Sequence, residues 1–245
     1  MDYIWILVAI ASAVTVGLSK GGIPMAGALS VPILATVMDP VAAAGLLLPV
    51  YVIADFFGLW AYRKHFDPRV LKIMIPATTL GVGVGWLMAD VVPERFVLGL
   101  VGMIGLVFAL NAIFRPSLGA RREARTVPGL VWGTIAGFTS FVSHSGGPPF
   151  QAYAVPLNMP STIFAGTATI LFSYVNAIKL IPYIALGEIN FDSLSLAVLL
   201  AIPASLSVFV GVRLVRVIPQ KLFYQLLIWV LLVLSIKLLW DAVIG

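Results

Sequence analysis

Apolar residues run along this chain in stretches of about 16 to 25, and the breaks between them are short and polar or carry a proline. They do not alternate with polar residues at period two, as the strands of a membrane barrel would, so the pattern predicts helices from end to end. Ile4–Leu18 and Pro24–Met38 are each shorter than the roughly 20 residues of an untilted span. They meet at Ser19-Lys20-Gly21-Gly22-Ile23-Pro24. Two short apolar helices joined by a polar glycine turn predict a broken or re-entrant element, stable where its bare backbone lines a protein cavity. Asp39-Pro40 predicts an N-cap and a first helical proline, opening a helix that reaches Tyr62 and holds Asp55. A basic loop, Arg63-Lys64-His65-Phe66-Asp67-Pro68-Arg69, precedes a span from about Val70 to Ala89. In that span the Gly81-Val82-Gly83-Val84-Gly85 run predicts close helix packing, because no strand precedes it as a dinucleotide site requires. A turn at Asp90–Arg95 leads to the span Phe96–Phe114.

The polar stretch Arg115–Arg125 marks a linker over residues 115–127, between a first membrane repeat, 1–114, and a second, 128–245. Gly21-Gly22 and Pro24 recur 125 positions later as Gly146-Gly147 and Pro149, and Phe66-Asp67 recurs as Phe191-Asp192. Ile75-Pro76-Ala77 matches Ile202-Pro203-Ala204, and Pro93 matches Pro219, with small insertions. Four correspondences in one order predict a duplication. Loop charge predicts its sense. Arg63, Lys64, Arg69 and Lys72 outweigh Asp67, whereas the equivalent loop holds Glu188 and Asp192. Asp90 and Glu94 outweigh Arg95, whereas the counterpart holds Arg213, Arg216 and Lys221. Because basic loops stay cytoplasmic, equivalent loops lie on opposite sides, the linker is cytoplasmic and both termini are outside. The expected fold is an all-α integral membrane protein of two inverted transmembrane repeats, with broken or re-entrant helices at the Gly-Gly loops. Eight spans with hairpins and ten shorter segments have the same parity, so charge allows either.

Composition strengthens this picture. Of 245 residues, 61% are hydrophobic and 10% charged, and the mean hydropathy is +1.08, which leaves no room for a soluble domain. The net charge of +5 sits in loops beside membrane segments, where it sets orientation and does not imply nucleic acid. The absence of cysteine excludes disulfides, thiolate metal sites and a cysteine nucleophile. No zinc motif occurs, His65 and His144 are far apart, and Ser143 or Ser145 beside His144 makes no triad. Neither a metal, a cofactor nor an enzyme activity is expected. The start, Met1-Asp2-Tyr3, lacks a basic n-region, so Ile4–Leu18 is expected as a retained helix.

The chemistry that remains lies at the two glycine loops. A proline is tolerated in the first turn of a helix, so each loop should lead into a helix N-terminus, which carries free N–H groups and partial positive charge. Such an end beside a cation suits an anion, and inverted repeats bring equivalent loops face to face near the midplane. The candidate substrate-binding residues are Lys20, Gly21 and Gly22 in the first loop and His144, Ser145, Gly146, Gly147 and Gln151 at the second. Asn176 and Lys179, one turn apart, join them. Asp55 is a structural charge or a proton carrier, as is His144. The plainer alternatives are that Lys20 snorkels to an interface, that His144 packs, and that Asp55 and Lys179 each pair with nearby polar groups for structure alone. Trp5, Trp60, Tyr62 and Trp240 read as interfacial anchors.

Several stretches carry a likeness: Ser19-Lys20-Gly21-Gly22, Leu48-Pro49 with Ala54-Asp55, Tyr62-Arg63-Lys64-His65-Phe66, and Ser143-His144-Ser145-Gly146-Gly147-Pro148-Pro149. Gly166-Thr167, Asn176-Ala177-Ile178-Lys179-Leu180-Ile181-Pro182-Tyr183 and Leu186-Gly187 continue it. In these the chain resembles the sulfite exporter TauE/SafE family, also called the toluene-sulfonate uptake permease family, over essentially its whole length. It departs at Ile23-Pro24-Met25-Ala26-Gly27, where many relatives continue a glycine-rich run. The resemblance implies a secondary carrier for sulfur-containing anions, sulfite or organosulfonates such as sulfoacetate, in the bacterial inner membrane. Its partners would be a small anion and the lipid bilayer. Alternating access with a coupled proton is the expected mechanism. The competing reading is a channel or cation-coupled carrier for another small solute, in which Asp55 and Glu188 dominate.

Overall fold

A computed structural model describes residues 3–88, 91–114, 123–185 and 194–244. Asp90, most of the linker, Leu186-Gly187, Glu188 and Phe191-Asp192 lie outside the described residues. The elements are α1 (Tyr3–Lys20), α2 (Pro24–Gly27), α3 (Ser30–Leu34), α4 (Pro40–Tyr62), α5 (Pro68–Leu87) and α6 (Glu94–Phe114). After the linker come α7 (Thr126–Ser143), α8 (Gly147–Ala154), a 3-10 turn Val155–Leu157, α9 (Ser161–Ala185), α10 (Leu194–Val217) and α11 (Gln220–Ile244). Among the described residues there is no strand. Seven helices among the described residues are long and apolar enough to cross a membrane: α1, α4, α5, α6, α9, α10 and α11. Their outward faces expose large apolar side chains such as Phe56, Leu80, Phe114, Leu206 and Val233, as lipid contact requires.

Helix starts follow the local chemistry. Asp39 Oδ1 accepts from the Ala42 N–H at 3.1 Å, and Asp67 Oδ1 accepts from the N–H groups of Arg69 and Val70 at 2.9 and 3.1 Å. The segment expected as one short helix over Pro24–Met38 is instead two, α2 and α3, and Pro32 supplies the reason. It has no N–H to offer the Ala28 carbonyl, so a continuous helix cannot pass. Side chains answer the break: Ser30 Oγ and Tyr51 Oη both reach the Gly27 carbonyl at 2.7 Å, and Ser12 Oγ donates to Ser30 O at 2.7 Å. Past α8, Pro156 likewise withholds a donor, and the helix gives way to the 3-10 turn.

The chain forms two compact units that do not follow its two halves. One comprises Met1–Phe66 with Ala165–Val217, the other Asp67–Phe164 with Ile218–Gly245. Within the first, α1 runs along α10, which also packs on α4. Small residues allow the approach: Gly17 faces the Ala204 carbonyl and Ser207, and Gly21 faces Gly211. Phe57 of α4 meets Phe209 of α10 edge to face at 5.9 Å. Within the second unit α5 runs along α7, with Gly81 against Thr134, Gly133 against Ala77 and Gly137 against Thr78. In the glycine run of α5, Gly81 and Gly85 pack closely, Gly85 against Phe141, while Gly83 faces open space. Also in this unit α6 runs along α11, where Gly102 meets Leu239 and Gly105 meets Ser235.

Candidate functional site

In the first unit, α1 ends on Lys20, and a cation suits the negative end of a helix. Its Nζ lies 2.7 Å from Asp55 Oδ1, and the two residues are 3% and 4% exposed. Both carboxylate oxygens of Asp55 are engaged. Oδ1 also accepts from Ser173 Oγ at 2.6 Å, and Oδ2 accepts from Asn176 Nδ2 at 2.9 Å. Thr169 Oγ1 donates to the Lys20 carbonyl at 3.2 Å, and Lys20 Nζ stands 5.0 Å from the Tyr51 ring centroid. Lys179, 0% exposed, lies one turn beyond Asn176 with its Nζ 5.2 Å from the Tyr183 ring, and within electrostatic reach of Lys20. Lys20 and Asp55 therefore form a buried ion pair, with the Lys179 side chain buried on the same helix as the Asn176 that bonds Asp55. Buried charges tolerate such a place when they are paired and hydrogen-bonded.

The first glycine pair belongs to the end of α1 and does not open α2. Gly22 has φ of +103°, its N–H donates to Ser19 O at 3.2 Å, and the Ile23 N–H donates to Leu18 O at 3.1 Å. That is a Schellman cap, with glycine at the left-handed position. The Gly21 N–H is also taken, by Gly17 O at 2.8 Å. The Gly21 carbonyl accepts from Tyr62 Oη at 2.7 Å. Both glycines are walled in: a Cβ on Gly22 would meet Tyr62 Oη and stand 2.6 Å from Ala165 Cβ, and one on Gly21 would stand 2.7 Å from Gly211 Cα.

The second loop, in the other unit, is built differently. Here the left-handed residue is His144, with φ of 52°. The N–H groups of His144 and Ser145 both turn back to Thr139 O, and Thr139 Oγ1 donates to Ser145 O at 3.2 Å. Ser143 Oγ reaches Thr139 O at 3.1 Å, and Ser145 Oγ donates to Ser143 O at 3.0 Å. The end of α7 is thus capped before the glycines begin. Gly146 and Gly147 are left to start α8, with Pro148 and Pro149 in its first turn. Among the described residues, the N–H groups of Gly146 and Gly147 donate to no carbonyl. Gln151, on the next turn, is 1% exposed. Phe150 seats this helix in an aromatic cluster through Phe164, which meets Phe223 and Tyr224.

The structure thus brings Lys20, Asp55 and Asn176 into one bonded chain with Lys179 alongside, and separately sets Gly146, Gly147 and Gln151 on one helical turn. Sequence reasoning missed Tyr51, Thr169 and Ser173. Thr169, Ser173, Asn176 and Lys179 are spaced four, three and three apart, a polar stripe on one face of α9, and Tyr51 precedes Asp55 by one turn. That periodicity was the available signal.

Compared with known proteins, residues 8–238 match the family described as Sulfite exporter TauE/SafE. No curated protein and no solved structure matches the chain. A match over nearly the whole chain, whose described residues are helical and include seven membrane-length helices, makes this protein a member of the TauE/SafE sulfite exporter family, which are multi-pass membrane transporters and not enzymes.

Proposed function

We propose that the protein is a secondary transporter that carries small sulfur-containing anions, sulfite or organosulfonates such as sulfoacetate, by alternating access. One observation carries this reading. Among the described residues, the buried acidic and basic side chains are Lys20, Lys179 and Asp55, two basic groups to one acid within a single unit. A low-dielectric site with that excess attracts an anion and repels a cation, and intramembrane charges mark a transport path. In this unit the candidate ligand residues are Lys20, Lys179 and Asn176; in the other unit they are His144, Ser145, Gly146, Gly147 and Gln151. Gly21 and Gly22 shape the first of these sites by letting α1 and α10 approach. Asp55 holds Lys20 in place, and His144 carries the coupled proton.

Inverted repeats fit this mechanism. The duplication itself is supported by an exchange: α1 takes α10 as its partner in one unit, and α7, its counterpart by the Gly-Gly match, takes α5, the counterpart of α10 by the Ile-Pro-Ala match. The loop charges support a cytoplasmic linker with both termini outside, in a bacterial inner membrane. The chain has no cysteine, so single introduced cysteines can report the side of each loop.

The test is thermal unfolding of purified protein with sulfite, sulfoacetate, sulfate or acetate, followed by flux in proteoliposomes. Stabilisation and transport of the sulfur-containing anions are expected, with loss of both in Lys179→Met. A protein that responds to none of these anions but to sodium or an organic cation would be a carrier of the competing kind.

A further inference from the structure

Among the described residues, the buried side-chain atoms without a hydrogen-bond partner are Gln151 Nε2 and Oε1. Exchanging the two amide atoms changes nothing, since neither is bonded. An amide buried this deeply without partners is costly, so the position calls for an explanation. Its direction supplies one. A Cβ built on Gly147 would stand 3.6 Å from Nε2, so the side chain folds back along α8 towards its first turn. There the Gly146 and Gly147 N–H groups are unused, and Pro148 and Pro149 have none to offer. This eight-residue helix thus presents two backbone donors, an amide donor and an amide acceptor around its positive end.

We propose that the first turn of α8 and the Gln151 amide form one subsite for a tetrahedral oxyanion that also brings a hydrogen-bond donor of its own. The inference rests on the anion-transport reading and narrows its substrate class to anions that carry an O–H or N–H, as hydrogen sulfite does and fully ionised sulfite and sulfoacetate do not. The Gly146 and Gly147 N–H groups and Gln151 Nε2 donate to the ligand's oxygens, and Gln151 Oε1 accepts from an O–H or N–H on the ligand. An oxyanion with acceptors alone satisfies the three donors and leaves Oε1 unpaired. A protonated oxyanion satisfies all four groups.

Sulfamate and methanesulfonate test this directly, since they are tetrahedral monoanions of similar size that differ by NH2 against CH3. Titration of the full-length protein in detergent should give sulfamate about a tenfold tighter dissociation constant. In Gln151→Met, which keeps the side chain's length, both anions lose the Nε2 donor and sulfamate also loses the Oε1 acceptor, so methanesulfonate should weaken about tenfold, sulfamate about a hundredfold, and the ratio should fall to near one. An unchanged ratio in a variant that elutes and melts like the parent overturns the role of Gln151. If the variant fails to fold, the wild-type ratio decides. Equal affinities in the wild type, as for an amide satisfied by solvent, overturn the donor preference and leave anion transport standing. A wild type that binds neither anion, and neither sulfite nor sulfoacetate, overturns both.

Discussion

The two Gly-Gly loops look alike in sequence and do opposite things with their backbone. In the first, every N–H from Gly21 to Ile23 closes the end of α1, and charge is supplied by side chains, Lys20 against Asp55. In the second, His144 and Ser145 close the end of α7, and the glycines remain open at the start of α8 beside Gln151. The decisive difference is the position of the left-handed residue. It is Gly22 in one loop and His144 in the other, three residues earlier in the aligned register. A helix end can be capped once, so where that residue falls decides whether the following N–H groups are used or available. The first loop ends on a charge that Asp55 satisfies, and beside the second, among the described residues, the Gly146 and Gly147 N–H groups and the neutral Gln151 amide lack partners.

The contrast can be broken, and the largest effect should come from the charges. Asp55→Asn leaves the Lys20 ammonium buried without its counter-ion and should cost about 3–5 kcal/mol. Thermal unfolding in detergent would show this as a large drop in Tm, and adding Lys20→Met should recover most of it. An Asp55→Asn protein that melts with the wild type would mean that the ion pair contributes nothing. Next comes Gly22→Ala, which puts a side chain at positive φ against Tyr62 and Ala165 and should destabilise by about 2–3 kcal/mol. A change below the error of the melt would remove the packing argument. Tyr62→Phe deletes the bond to Gly21 O and should cost about 1 kcal/mol, read from the same melts. The smallest effect sharpens the comparison. Gly147→Ala places its Cβ at ordinary contact distance, 3.6 Å from Gln151 Nε2, so stability should stay within about 0.5 kcal/mol of the parent. If it instead unfolds the protein as Gly22→Ala does, the two loops are not as different as their geometry indicates.

Much of the molecule was legible beforehand because its signals are local. Asp39 starts a helix through its own side chain, and apolar length alone marks spans such as α6 and α11. The break after Gly27 was not placed, because it depends on one proline and on hydroxyls from α3 and α4 that converge on a single carbonyl. The candidate site divides in the same way. Asp55, Lys179 and Asn176 stand out as polar groups in apolar helices, whereas nothing near Lys20 in the chain says that Asp55, thirty-five positions on, is its counter-ion.

From sequence alone came the helical membrane class and the polar and charged residues set inside apolar segments, because composition and periodicity act within single segments. Tertiary structure alone settled which groups neutralise one another, that the compact units draw on both halves, and which glycine pair keeps its donors. The reason is physical. A charge or an N–H group is available for a ligand only after the chain's own partners have been counted, and those partners arrive from distant helices.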